Sequence, residues 1–153
     1  EPKRQRPRPS CKAKAVDFLA RSDQSIRRLT EKLQRKEYTE EEIQETIDWL
    51  QEKHFLREED GCQRRFEHMY QNTIYSLRQI VVKLRQQGYD KDLVQSFVPD
   101  DTTEREYKAA YKVISRKFKQ KIYQHLCMKG FDYDVARNAV EDLLYTWEKE
   151  ADE

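Results

Sequence analysis

One pattern is written three times along this chain: Leu29-x3-Leu33-x4-Tyr38, Ile80-x3-Leu84-x4-Tyr89 and Ile122-x3-Leu126-x4-Phe131, offset by 51 and then 42 residues. In each copy an aliphatic pair sits one helical turn apart, and an aromatic follows after a short turn. Gly88 and Gly130 mark that turn in two copies. A second apolar-periodic stretch then runs through Ile43 and Ile47, Val94 and Val98, or Ala136 and Val140. Self-similarity at this period is the signature of repeated supersecondary units, each too small to bury its apolar stripe alone. A binding module is therefore the first expectation, ahead of a single enzyme core.

Composition excludes most other folds. The chain has only three Gly and four Pro in 153 residues, and no proline between Ser10 and Val98. A sheet-rich or loop-rich fold needs more turn residues than that. Charged residues are 39% against 37% hydrophobic, so the apolar groups are spread thinly. The expected class is all-α: three tandem three-helix repeats stacked into an elongated module. The boundaries read as a flexible basic arm over 1–11, repeats over 12–60, 61–101 and 102–147, and an acidic tail over 148–153.

Local signals place the helices. The prolines at 2, 7 and 9 keep the arm from continuous helix. A first helix is predicted from about Lys12 to Arg21, burying Ala15, Phe18 and Leu19. The stretch from Ser22 to Ser25 offers N-cap residues for a second helix with Ile26, Leu29 and Leu33 as its stripe. Thr39 with Glu42 forms a capping box for a third, which carries Ile43, Ile47 and Leu50. The second copy repeats the order with Phe66, Met69 and Tyr70, then Leu77, Ile80 and Leu84, then Leu93, Val94, Phe97 and Val98, ending at Pro99. The third uses Tyr107, Tyr111 and Ile114, then Phe118, Ile122 and Leu126, then Ala136, Val140, Leu143 and Leu144.

Catalytic and metal chemistry find no support. The three glycines are too dispersed for a phosphate loop, and His54, His68 and His125 lack metal-ligand spacing. His125 and Cys127 lie two apart on a helix and point to different faces. Cys11, Cys62 and Cys127 contain no C-x-x-C pair, and an odd, scattered count predicts reduced thiols in the cytoplasm, with Cys127 a small buried thiol. No apolar run approaches the roughly 20 residues that span a bilayer. No cofactor, no metal and no membrane association are expected.

Charge is the stronger signal. The net charge of +1 hides a polarised arrangement. Tyr107 to Phe131 holds seven Lys/Arg and no acid, whereas Asp132 to Glu153 holds eight acids against Arg137 and Lys149. Glu37 to Asp48 likewise holds six acids and no base. In the first and third copies the bases precede the turn and the acids follow it, so a packed helix pair presents a positive and a negative face. Candidate partner- or phosphate-binding residues are Arg27, Arg28, Lys32 and Arg35; Arg78, Lys83 and Arg85; and Arg116, Lys117, Lys119 and Lys121. Such a face suits phosphates or an acidic protein groove, without implying base-specific reading. The aromatics at the turn, Tyr38, Tyr89 and Phe131, read as packing groups rather than base-stacking platforms.

These residues resemble the RecX family, small bacterial regulators of the RecA recombinase. Copy one carries Leu19-Ala20-Arg21, Ser25, Leu29, Lys32-Leu33 and Lys36-x-Tyr38 in the family's spacing. Copy two carries Ile80-x3-Leu84-x3-Gly88-Tyr89, and copy three carries Lys121, Leu126, Lys129-Gly130-Phe131, Asp134 and Ala139. The likeness spans about 12–145, with Glu37 standing where the family has a turn glycine. The resemblance implies a non-enzymatic protein that binds the RecA–DNA nucleoprotein filament and limits its growth, ATP hydrolysis and recombinase activities. The expected partners are RecA and, through phosphate contacts, single- or double-stranded DNA. The alternative is a non-specific DNA- or RNA-binding helical protein acting independently of RecA. A monomer is expected, because each unit has a neighbour in the same chain.

Overall fold

The computed structural model describes residues 6–151 and is all-helical, with eight helices among the described residues. The first five residues of the basic arm and the last two of the acidic tail lie outside the described residues. The helices fall into two compact units that divide between Asp100 and Asp101.

The first unit holds two helical trios. In one, α1 (Cys11–Arg21), α2 (Ile26–Arg35) and α3 (Glu40–Glu52) surround a core that includes Ala15, Leu29, Leu33, Ile43, Ile47 and Leu50. In the other, α4 (Glu58–Asn72), α5 (Leu77–Gln86) and α6 (Lys91–Ser96) surround Cys62, Phe66, Ile80, Leu84, Tyr89 and Val94. With α2 and α5 ten residues long and α6 only six, isolated helices would be marginal, so burial of these stripes holds them. Phe18 and Leu19, expected in the core, are half-buried at its edge.

The caps predicted at Ser25 and Thr39 form, whereas Thr102, at the start of the second unit's first helix, makes no side-chain cap. Ser25 accepts from the Arg28 amide, and Thr39 and Glu42 close a reciprocal box at 3.2 and 3.0 Å. Ser76 and Gln79 build the same box at the start of α5. Helix α4 has no side-chain cap, but Glu58, Glu59 and Asp60 occupy its first turn, where carboxylates complement the helix dipole.

The thrice-written pattern has a specific geometric meaning. The amide of the turn aromatic donates to the carbonyl of the second aliphatic in every copy: Tyr38 to Leu33, Tyr89 to Leu84 and Phe131 to Leu126, at 3.4, 3.2 and 3.1 Å. The preceding residue donates to Gln34, Arg85 or Cys127 and takes a positive φ: +64° at Glu37, +102° at Gly88 and +94° at Gly130. This is a Schellman C-cap, in which a left-handed residue lets the chain return and press the next apolar side chain onto the helix end. Glu37 accepts a conformation that glycine adopts more easily.

The second unit carries its copy on two helices, α7 (Thr103–Met128) and α8 (Tyr133–Ala151). The first and middle segments expected from the pattern run as one continuous 26-residue helix. Between Thr103 and Met128 there is no glycine or proline, and Ser115 alone does not interrupt the backbone ladder. Ala109, Ala136, Val140 and Leu144 are buried, and Phe118 packs on Trp147 at 5.2 Å. Leu126 is only half-buried, whereas its counterparts Leu33 and Leu84 are sealed. Phe131 stays 52% exposed, unlike Tyr38 and Tyr89.

Candidate partner and nucleic-acid interface

The two trios of the first unit meet along a polar seam, and several predicted binding residues are committed to it. A helix leaves its last carbonyls and first amides without internal partners. Here side chains at the start of α2 satisfy the last carbonyls of α5 across the seam. The Ser25 hydroxyl donates to the Gln87 carbonyl at 2.6 Å. Arg27 donates to the carbonyls of Arg85 and Gln86, at 3.3 and 3.0 Å, and Arg28 reaches that of Gln86 at 3.4 Å. In return, Glu58 of α4 accepts from the Ile26 amide at 3.0 Å, at the positive end of α2.

A second set of contacts joins the α1–α2 loop to α4. Arg64 grips the Asp23 carboxylate with two bonds, at 2.6 and 3.0 Å. Arg65 donates to the Asp23 carbonyl and, at 2.8 Å, to the Gln87 side chain. The Arg64 hydrogen bond holds the Asp23 carboxyl below its usual range against the opposing effect of burial. None of Asp23, Glu58, Arg64, Arg65 or Gln87 carries a sequence signal for this role, because their partners lie 22 to 62 residues away.

The remaining predicted residues are displayed rather than consumed. Arg35, Arg78, Arg85, Arg116, Lys117 and Lys121 have exposed side chains, and Lys83 and Lys119 are half-exposed. Lys32 sits 5.4 Å over the Phe18 ring and Lys83 4.6 Å over Tyr75. Among the described residues, Arg27 alone of the eleven candidates pairs with a carboxylate, Glu31 at 3.8 Å. Arg78 and Lys83 flank an open groove on α5 that includes exposed Val82. Lys117 and Lys121 share one face of α7 with Ile114, which is 66% exposed. The predicted set is thus divided among the seam, the exposed end of α2 at Arg35, α5 with its groove, and α7.

Outside the seam, Arg8 and Pro9 of the arm are strapped to the first trio. The Arg8 guanidinium lies over the Tyr38 ring and donates to the Lys36 carbonyl, while the Tyr38 hydroxyl donates to the Pro9 carbonyl at 2.7 Å. The expectation of a buried Cys127 is corrected: its thiol is exposed, because the C-terminal end of α7 is covered on one side only. No metal-holding cluster occurs among the described residues, and no described helix is long and apolar enough to cross a membrane.

Two buried groups predict an alkaline limit to stability. Burial pushes the Cys62 thiol up to about 11 and the Tyr89 hydroxyl up to about 12. Both folded values exceed the unfolded ones, so the folded state holds these protons more tightly. Their stabilising contribution is complete below pH ~8.5 and is lost as pH rises through the folded values. Melting temperature should therefore fall steadily above about pH 9, and the fall should be shallower in Cys62→Ala and Tyr89→Phe. An unchanged slope in both variants would refute the assignment. In a thiol titration near neutral pH, Cys127 should react first, with Cys62 unreactive until the chain unfolds.

Comparison with known proteins places the fold and the repeat. The profile described as RecX, first three-helix domain, matches residues 11–50, which span α1, α2 and most of α3. The regulatory protein RecX of Clostridioides difficile is 29% identical over 150 residues, covering 88% of this chain and 68% of that protein. The regulatory protein RecX of Neisseria gonorrhoeae is 26% identical over 156 residues, covering 94% and 95%. That of Staphylococcus haemolyticus is 24% identical, and the matched region is 53% of its length. The crystal structure of RecX from Lactobacillus salivarius has the same fold, with a TM-score of 0.62 at 19% identity over 87% of this chain and 94% of that one.

Proposed function

The chain belongs to the RecX family of regulatory proteins, and from that membership we propose that it modulates, chiefly inhibits, the RecA recombinase. It binds the RecA–DNA nucleoprotein filament in the cytoplasm and limits filament growth, ATP hydrolysis and recombinase activity, without chemistry of its own and as a monomer. The observation that supports this reading is the set of cations displayed on repeated helices. Nine of the eleven candidates neither pair with a carboxylate nor bond by their side chains across the seam among the described residues, so their charge is available to a filament of protein and phosphate. Distributing weak contacts over several repeats makes the engagement multivalent.

The test adds the purified chain to RecA on single-stranded DNA and follows ATP hydrolysis. Hydrolysis should fall at stoichiometric excess, and an unchanged rate would reject the reading. Arg116→Glu combined with Lys119→Glu should weaken the effect by about tenfold with helicity intact. Equal inhibition by that variant would remove α7 from the interface. A steep salt dependence of DNA binding together with no effect on RecA would favour the RecA-independent nucleic-acid reading.

A further inference from the structure

We propose that the seam between the two trios of the first unit is a binding site for a phosphate group, held by Arg28, Lys32 and Arg65. These side chains line one cavity of about 260 Å³, together with Ser25, Gln87 and Tyr89. Arg65 meets a backbone carbonyl and a neutral amide oxygen, Arg28 a carbonyl, and Lys32 an aromatic ring. No carboxylate among the described residues lies within 4 Å of any of the three cationic groups.

The one carboxylate in the lining is Asp23, and its charge is already met by the two-bond grip of Arg64. The cavity therefore has three cations with no direct carboxylate partner among the described residues, although Arg65 also feels the Asp23 charge, and each is at most half-exposed, so their field is less screened than at open surface. Arg65 is pinned at two points before any ligand arrives, which lowers the ordering cost of binding. Two guanidinium groups and an ammonium suit the several oxygens of a phosphate.

Two further features favour an anion. The cavity opens at the start of α2, where the helix dipole is positive, although Glu58 and Ser25 already occupy the amides of Ile26 and Arg28. Recognition therefore falls to side chains. Tyr89, which contributes to the wall, is 97% buried (3% exposed) and its hydroxyl has no hydrogen-bond partner. A buried hydroxyl left unpaired is costly, and an acceptor oxygen brought into the cavity by a small shift of the ring relieves that cost.

The shared chemistry is a phosphate oxyanion, supplied either by a free phosphate compound or by the backbone of a nucleic-acid strand. The site does not depend on action on RecA, and its test uses the isolated chain. Calorimetric titration with pyrophosphate at fixed ionic strength should give saturable one-to-one binding. Arg28→Gln with Lys32→Gln should weaken it by about tenfold or more, at an unchanged far-ultraviolet spectrum. Lys32→Gln alone, which removes only the contact with Phe18, should weaken it several-fold and guards against misfolding of the double variant. Heats reproduced by chloride at equal ionic strength, or equal affinity in both folded variants, would overturn the site. A parallel loss of oligo-deoxythymidylate binding in the variants supports a strand as the source. Retained strand binding with lost pyrophosphate binding supports a free phosphate compound.

Discussion

Gly88→Ala is expected to destabilise the first unit by about 3 kcal/mol or more, whereas Gly130→Ala costs only about 1–2 kcal/mol. Both glycines occupy the left-handed position of a Schellman cap, at +102° and +94°, and an L side chain there is strained in either case. The difference lies in what a Cβ meets. At Gly130 nothing lies within 4 Å. At Gly88 the added carbon falls well inside van der Waals contact distance of the Ser25 hydroxyl oxygen and 3.1 Å from the Arg27 Cβ. Ser25 must then leave the Gln87 carbonyl, and Arg27 must loosen its hold on the carbonyls at the end of α5. Helix-end groups lose their partners across the seam, which adds roughly 1–3 kcal/mol to the backbone strain. Glu37→Gly is the converse, relieving a positive φ at the matching position and stabilising by up to about 1 kcal/mol. Urea denaturation followed by circular dichroism measures all three. Equal losses at Gly88 and Gly130 would mean that the seam carries no stability.

Leu33→Ala and Leu84→Ala should each cost about 2–5 kcal/mol, and Leu126→Ala clearly less, about 1 kcal/mol. The three leucines hold one position of the repeat, and each accepts the amide of the turn aromatic. Their surroundings differ. Leu33 and Leu84 are wholly buried in separate clusters, so truncation leaves a cavity that ten-residue helices cannot refill. Leu126 is half-buried on a hairpin with few sealed side chains, so water reaches the space and the cavity contribution is small. Denaturant midpoints of the three variants decide the matter. A loss at Leu126 as large as at Leu84 would show that the third copy has a sealed core after all.

Most of the local architecture was legible. The apolar spacing marked α2, α3 and α5, and Ser25 and the Thr39–Glu42 box marked two helix starts. Pro99 closes the second trio beyond α6. The recurring aromatic after the turn was visible as a pattern, and its cause is the C-cap that returns it to the helix end. The joint inside α7 was misleading, since apolar periodicity is the same whether one helix or two carries it. A break requires a residue that stops the ladder, and that stretch has none. Exposure of Cys127 followed from the same geometry, because only one neighbouring helix packs on α7 within its unit.

The candidate site was legible in part. Charge patterning identified the cations but could not divide them into those that join the trios and those that face solvent. Arg27 and Arg28 look like Arg78 and Arg116 in a linear reading. What separates them is that α5 ends beside α2, with open carbonyls in reach of a guanidinium.

The amino-acid sequence alone therefore determined the helices of the first unit, the caps at Ser25 and Thr39 and the repeat, because those interactions act within about one or two helical turns. Only the tertiary structure decided the seam, its charged cavity and the exposed stripes of the third copy. Those features depend on which helix end meets which, across separations of up to 62 residues, and on how many neighbours cover each stripe.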